Sequence, residues 1–191
     1  MEILVTKYFH FFYLYHMKKI TRNCTTDLPK VFEDKSDKVL VLGIGNYLMG
    51  DEGIGVHIVQ RMEQMELPEY VDVLDGGTGG FFLMGVFDEY GKVIFVDATM
   101  DGKPAGTIKV IKPKFASDFP KTLSVHDVGL KDMVEALYLQ EKVPEMHLVT
   151  ISIKEIRPMY VGLSEPIEKI VPEAIRIILE LAEKIYEPAK K

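Results

Sequence analysis

Four residues in this chain of 191 amino acids carry side chains whose type and spacing suit metal recognition or proton transfer: Glu52, Asp75, Asp97 and His126. Glu52 ends the glycine-rich stretch Gly43-Ile44-Gly45-Asn46-Tyr47-Leu48-Met49-Gly50-Asp51-Glu52, and Asp97 closes the apolar run Val93-Ile94-Phe95-Val96. His126 stands in Ser124-Val125-His126-Asp127-Val128-Gly129-Leu130, just ahead of a helical pattern. Two carboxylates and one imidazole on three separate loops would make a three-ligand site of borderline-to-hard character with open positions. Lacking thiolates, such a site is weak, which suits an enzyme that meets a metal on its substrate better than one that owns it. Asp75, immediately before Gly76-Gly77-Thr78-Gly79-Gly80, would orient a ligand or accept a proton.

Each residue taken alone has a plainer reading. A carboxylate directly beyond four buried residues is costly unless paired, and Asp97 can satisfy itself on Thr99 or a nearby backbone amide. Glu52 gains from the positive end of a following helix. Asp75-Gly76 is a common turn, Asp127 can cap the helix after His126, and a lone histidine is more often structural than a ligand. His57, inside the first helical pattern, and His147, near a strand start, read as structural. The case for chemistry therefore depends on whether the fold brings Glu52, Asp97 and His126 to one rim.

The elements that would do so follow from the hydrophobic pattern. Val39-Leu40-Val41-Leu42 suits a central strand buried on both faces. From Gly53, Ile54, Ile58, Val59 and Met62 recur at three and four, a helix with one apolar stripe and Asp51 as its N-cap. Val71-Asp72-Val73-Leu74 is a second strand, followed by a short helix through Phe82 and Phe87. Lys92–Val96 is a third buried strand, Gly106–Ile111 an edge strand, and Leu148–Ile153 the last. His126–Gln140 runs from loop into helix with Leu130, Val134, Leu137 and Tyr138 on one side. Ser164, with Pro166 after it, opens a long amphipathic C-terminal helix.

This alternation specifies an α/β fold, a three-layer sandwich with a mostly parallel, mixed twisted sheet of about five strands covered by helices on both faces. In such sheets the ligand crevice opens beyond the carboxyl ends of the strands where the winding direction reverses. With strand one internal, strand two on one side and strand three on the other, that crevice lies between the ends of strands one and three. The Asn46–Glu52 loop and Asp97 wait there.

Composition narrows the function classes. The hydrophobic fraction of 47% supports one core, and the division expected is an N-terminal extension, 1–37, with a single α/β domain, 38–191. A net charge of −6 argues against nucleic acid as a partner. The single cysteine, Cys24, leaves no material for disulfides, thiolate zinc sites or iron–sulfur clusters, which fits a reducing cytoplasmic setting. The aromatic opening, Met1–His16, is too short for a membrane span and has no secretory cleavage pattern, and Met17-Lys18-Lys19 is an alternative start. Residues 21–38 read as a linker.

Neither Gly-x-Ser-x-Gly nor His-Glu-x-x-His occurs, so serine-hydrolase and zincin chemistry have no usual frame. A dinucleotide-binding reading is weakened by Leu48 at the third glycine position and by Asp51 and Glu52 where a pyrophosphate wants bare amides.

The four motifs, Gly43–Gly55, Asp75–Gly80, Val96-Asp97-Ala98 and Ser124–Leu130, resemble in content and order the hydrogenase maturation endopeptidases, over roughly Lys38 to the C-terminal helix. The resemblance implies an aspartic-type endopeptidase that removes a C-terminal extension from the large-subunit precursor of nickel-iron hydrogenase once nickel has been inserted. It assigns metal contact to Glu52, Asp97 and His126, links Asp75 to function beside the carboxylates Glu52 and Asp97, and makes the nickel-loaded precursor the partner. The nickel would come with the substrate, with no tightly held metal of the enzyme's own. A non-catalytic nickel-sensing chaperone for the same precursor is the alternative.

Overall fold

The computed structural model of the chain describes residues 35–113, 134–138 and 143–186. The chain divides into Met1–Glu33 and Asp34–Lys191, the first of which lies outside the described residues together with Cys24 and Met17. In the second unit the elements run β1 (Val39–Ile44), a 3-10 turn (Gly50–Gly53), α1 (Ile54–Met62), β2 (Val71–Gly77), a second 3-10 turn (Gly80–Leu83), α2 (Met84–Phe87), β3 (Lys92–Thr99) and β4 (Ile108–Ile111). A helical stretch α3 (134–138), β5 (Glu145–Ser152) and α4 (Glu165–Ile185) complete it.

The five strands form one sheet in the order β2-β1-β3-β5-β4, parallel except for β4, which runs antiparallel to β5 at the edge. All six residues of β1 are buried, as a strand covered on both faces requires. Alternation then sorts the core into two layers. Val39, Val41, Ile94, Val96, Ala98, Val149 and Ile151 meet α1 and α4, while Leu40, Leu42, Val93, Phe95 and Leu148 meet Leu83, Phe87, Val134 and Leu137. The expected α/β sandwich with β1 at the switch point is therefore the observed one. No helix among the described residues is long and apolar enough to cross a membrane.

Three local expectations need correction. β3 continues through Asp97, Ala98 and Thr99, because β5 supplies the partners Thr150, Ile151 and Ser152 after β1 has ended. Strand pairing, not apolarity, sets its end. Asp51 is not the N-cap of α1: the 3-10 turn intervenes, Gly53 occupies the cap, and no side chain caps it. The linker reading of 21–38 runs too far, since Lys35 donates its amide to the Glu89 carbonyl and Lys35 and Lys38 both pair with Asp72 on β2.

Candidate functional site

The crevice beyond β1 and β3 owes its form to unequal strand length. The last β1–β3 pair is Gly43 with Val96, so Asp97 is the first β3 residue beyond β1's reach. Into that step drops the start of α1. A Cβ built on Gly55 would lie 2.1 Å from the Val96 carbonyl oxygen and 2.3 Å from that of Ile44. Only glycine lets the helix sit so close to both strand ends. Gly45 has a φ of +134° and its added Cβ would meet the Glu52 carbonyl at 2.3 Å, so the loop doubles back on the turn it leads into.

Glu52 and Asp97 are each 1% exposed. The Glu52 carboxylate accepts a hydrogen bond from the Asn46 amide, closing the loop on itself. The turn that carries Glu52 packs against β3. Asp97 accepts a hydrogen bond from the Ala98 amide through Oδ1 at 2.7 Å, the backbone satisfaction that its sequence allowed. Two acidic side chains, one on a turn and one on the strand it packs against, are thus buried, an expensive placement that a polar role explains better than packing does.

The same bond argues against dinucleotide binding. The Asn46 amide, where a pyrophosphate oxygen would be received, is already occupied by the chain's own carboxylate.

Asp51, beside Glu52, does something the sequence did not reveal. Its carboxylate accepts the Ser164 amide at 2.6 Å and the Ser164 hydroxyl at 2.7 Å, tying the site turn to the start of α4. Ser164 is the helix-opening residue, but its hydroxyl serves Asp51 and makes no capping bond. No local spacing signals a contact across so much chain.

Asp75 lies at the same carboxyl edge of the sheet, on the far side of β1. It pairs with Gly43 in the β2–β1 register, and strand alternation puts it with Val71 and Val73, on the face covered by α1. Gln60 of α1 donates to its Oδ2 at 3.0 Å and the Gly77 amide to its Oδ1 at 3.0 Å. Asp97 follows Phe95 on the opposite face. Glu52 thus rides on a turn packed against β3, the strand that carries Asp97, while Asp75 stands within β2 beside Gly43, on the face covered by α1.

His126, with Asp127, lies outside the described residues. The described α3 residues that follow it bury Val134 and Leu137 in the layer that Phe95 faces. Among the described residues alone, no three His, Cys, Asp or Glu side chains are grouped to hold a metal ion. His57 is buried on α1 with its ring 4.6 Å from that of Tyr47. Burial, and after it the charge of Arg61, holds its pKa below the usual histidine value. His147 is buried with Nε2 3.1 Å from Glu145 on its own strand, a structural contact as expected.

Fold and site define a small α/β protein with a mostly parallel sheet and two buried carboxylates beside its switch point. Residues 56–181 match the family model HycI, hydrogenase maturation protease. The chain is 35% identical over 145 residues to the hydrogenase 2 maturation protease of Escherichia coli, covering 74% of this chain and 88% of that one. It is 37% identical over 153 residues to a putative hydrogenase maturation protease of Methanocaldococcus jannaschii, covering 76% and 96%. Among solved structures, the hydrogenase maturating endopeptidase HybD of E. coli superposes with a TM-score of 0.70 at 33% identity, over 77% of this chain and 93% of that one. The chain belongs to the hydrogenase maturation protease family and is a peptidase.

Proposed function

We propose that this peptidase removes the C-terminal extension of the nickel-iron hydrogenase large-subunit precursor after nickel insertion, and that Glu52, Asp97 and His126 contact the nickel that the substrate brings. The observation that carries this reading is the burial of Glu52 and Asp97, each 1% exposed, on two elements packed together at the β1–β3 step. The relatives named for hydrogenase maturation supply the substrate class. Oxygen and nitrogen donors without thiolate suit a second set of contacts to a metal already held by the precursor.

In this mechanism the substrate's nickel is the landmark by which the scissile bond is positioned. Glu52 and Asp97 enter its open positions, His126 adds the imidazole, and a carboxylate of the pair takes a proton from the attacking water. Asp75, held by Gln60 and Gly77, shapes the glycine-rich turn at the end of β2 and acts on the reaction through that turn. A single cysteine in 191 residues agrees with work in the cytoplasm.

The test is a double variant, Glu52→Ala with His126→Ala, incubated with nickel-loaded precursor and followed by mass spectrometry. Loss of the cleaved product is expected; cleavage at the wild-type rate would end the proposal. Binding of the precursor by wild-type protein without any change of its mass would favour the chaperone alternative.

A further inference from the structure

Of the eight large apolar side chains left exposed among the described residues, four lie together beside the site: Leu48, Met159, Tyr160 and Val161. Leu48 belongs to the loop that ends in Glu52, and the other three sit on the loop between β5 and α4. The two loops are laced by backbone. Tyr160 donates its amide to the Leu48 carbonyl and accepts from the Gly50 amide, Arg157 donates to the Met49 carbonyl, and Met49 and Tyr160 form a parallel bridge. Gly50 opens the 3-10 turn on which Glu52 rides. The patch is thus continuous with the site turn.

Met159 is 87% exposed and has a φ of +59°, the left-handed region that side chains other than Gly, Asn and Asp seldom adopt. The bonds on either side of it, from Arg157 and Tyr160, hold this conformation and turn the thioether outward. A strained backbone that displays an apolar side chain, rather than burying it, is a sign of function. Methionine is also the apolar side chain best able to adapt to a partner's surface. Arg157 lies over the Tyr160 ring, 5.7 Å from its centroid.

We infer that Leu48, Met159, Tyr160 and Val161 form the docking surface for the polypeptide that is cleaved, gripping an apolar segment of the precursor next to the scissile bond. A peptidase must receive a polypeptide, and the loop that carries Leu48 runs straight into the turn that carries Glu52. A contiguous apolar patch on a turn bonded to the site serves that passage better than it serves solvent. This inference rests on the proposed substrate. It adds a recognition element that reads the protein around the nickel rather than the nickel itself.

The experiment uses the full chain carrying Met159→Gln with Val161→Thr, and measures both equilibrium binding to nickel-loaded precursor and the steady-state cleavage constants. Burying two such side chains corresponds to a loss of about tenfold or more in affinity. The expected result is that loss in binding, a KM raised by a similar factor and an unchanged kcat, with an unaltered melting curve. A control variant at a distant exposed apolar position, Val110→Thr, should bind as wild type. If wild-type protein cleaves the precursor and the double variant binds it equally well, the docking surface is overturned while the proposed function stands. If wild type binds without cleaving, the proposed function falls and the variant's affinity alone decides the docking surface. If wild type neither binds nor cleaves, both fall. Sedimentation that shows the variant losing a wild-type dimer, with precursor binding intact, would reassign the patch to self-association and overturn the inference.

Discussion

Two acidic strand ends at the carboxyl edge of the sheet are built in opposite ways. At the β1–β3 step, Glu52 and Asp97 are buried at the junction of a turn and a strand, with the Asn46 amide on Glu52 and the Ala98 amide on Asp97. At the end of β2, Asp75 is half-buried behind β1, held by a side chain of α1 and by the amide two residues on. Both carboxylates beyond a strand end looked alike in sequence. The first pair sits where the winding reverses and the backbone leaves a crevice; the second sits where β2 is the sheet's outer strand and α1 already covers its face. The proposed function makes position relative to the switch point, more than residue type, the difference between a reacting carboxylate and a framing one.

The sharpest way to break this comparison is to neutralise each side without emptying it. Glu52→Gln keeps an oxygen for the Asn46 amide and removes the charge, so the protein should fold normally and lose roughly a thousandfold in kcat/KM on nickel-loaded precursor. Asp75→Asn keeps an acceptor for Gly77, and Gln60 can turn its amide to match; its loss should stay below about tenfold. Equal losses in the two variants would erase the distinction between the two ends.

Intermediate effects test the frame of the crevice. Gly55→Ala forces a Cβ to within 2.1 Å of the Val96 carbonyl, and relief there shifts the peptide that leads into Asp97. A loss of roughly 3 kcal/mol in chemical denaturation is expected, together with loss of cleavage. Asp51→Ala removes two hydrogen bonds to Ser164 and should lower stability by about 2 kcal/mol, with cleavage falling as the Glu52 turn loosens. A stable Asp51→Ala protein would mean that the turn is held by backbone alone.

The smallest effect concerns His57, which lies between the two ends on α1. Its folded-state pKa is below the unfolded value near 6.5, so folding favours the neutral ring. Above that value the ring is neutral in both states; as pH falls through 6.5 towards the folded pKa, the unfolded chain gains a proton that the folded one resists, and stability drops. Arg61 strengthens this trend, while Glu168, Asp51 and Asp75 oppose it. Replacing His57 with Phe should flatten the fall in melting temperature between neutral and mildly acid pH. An unchanged slope would place its cause at another group.

Much of this molecule was readable from periodicity. The apolar runs at Val39–Leu42 and Lys92–Val96 located the two strands that flank the crevice, and the three-and-four spacing from Ile54 located the helix that enters it. What could not be read has physical causes. Asp97 looked like a strand end because polarity interrupts an apolar run, whereas pairing with Thr150 carries β3 onward. The Asp51–Ser164 link joins residues distant in the chain and leaves no local pattern. Gln60 carries no mark, in a helix of ordinary composition, of the carboxylate it holds. Met159-Tyr160-Val161 has neither helical nor strand period, so its display beside Glu52 emerges only once the loops are laced. His126 was singled out by its motif and by resemblance alone, and lies outside the described residues.

The measurement that bears most directly on the central claim is cleavage of matched precursors that differ only in nickel content, followed by intact-mass spectrometry. If Glu52 and Asp97 recognise a metal carried by the substrate, wild-type protein cuts the nickel-loaded precursor and leaves the nickel-free one whole, and Glu52→Gln cuts neither. Equal cleavage of both precursors by wild-type protein would contradict it.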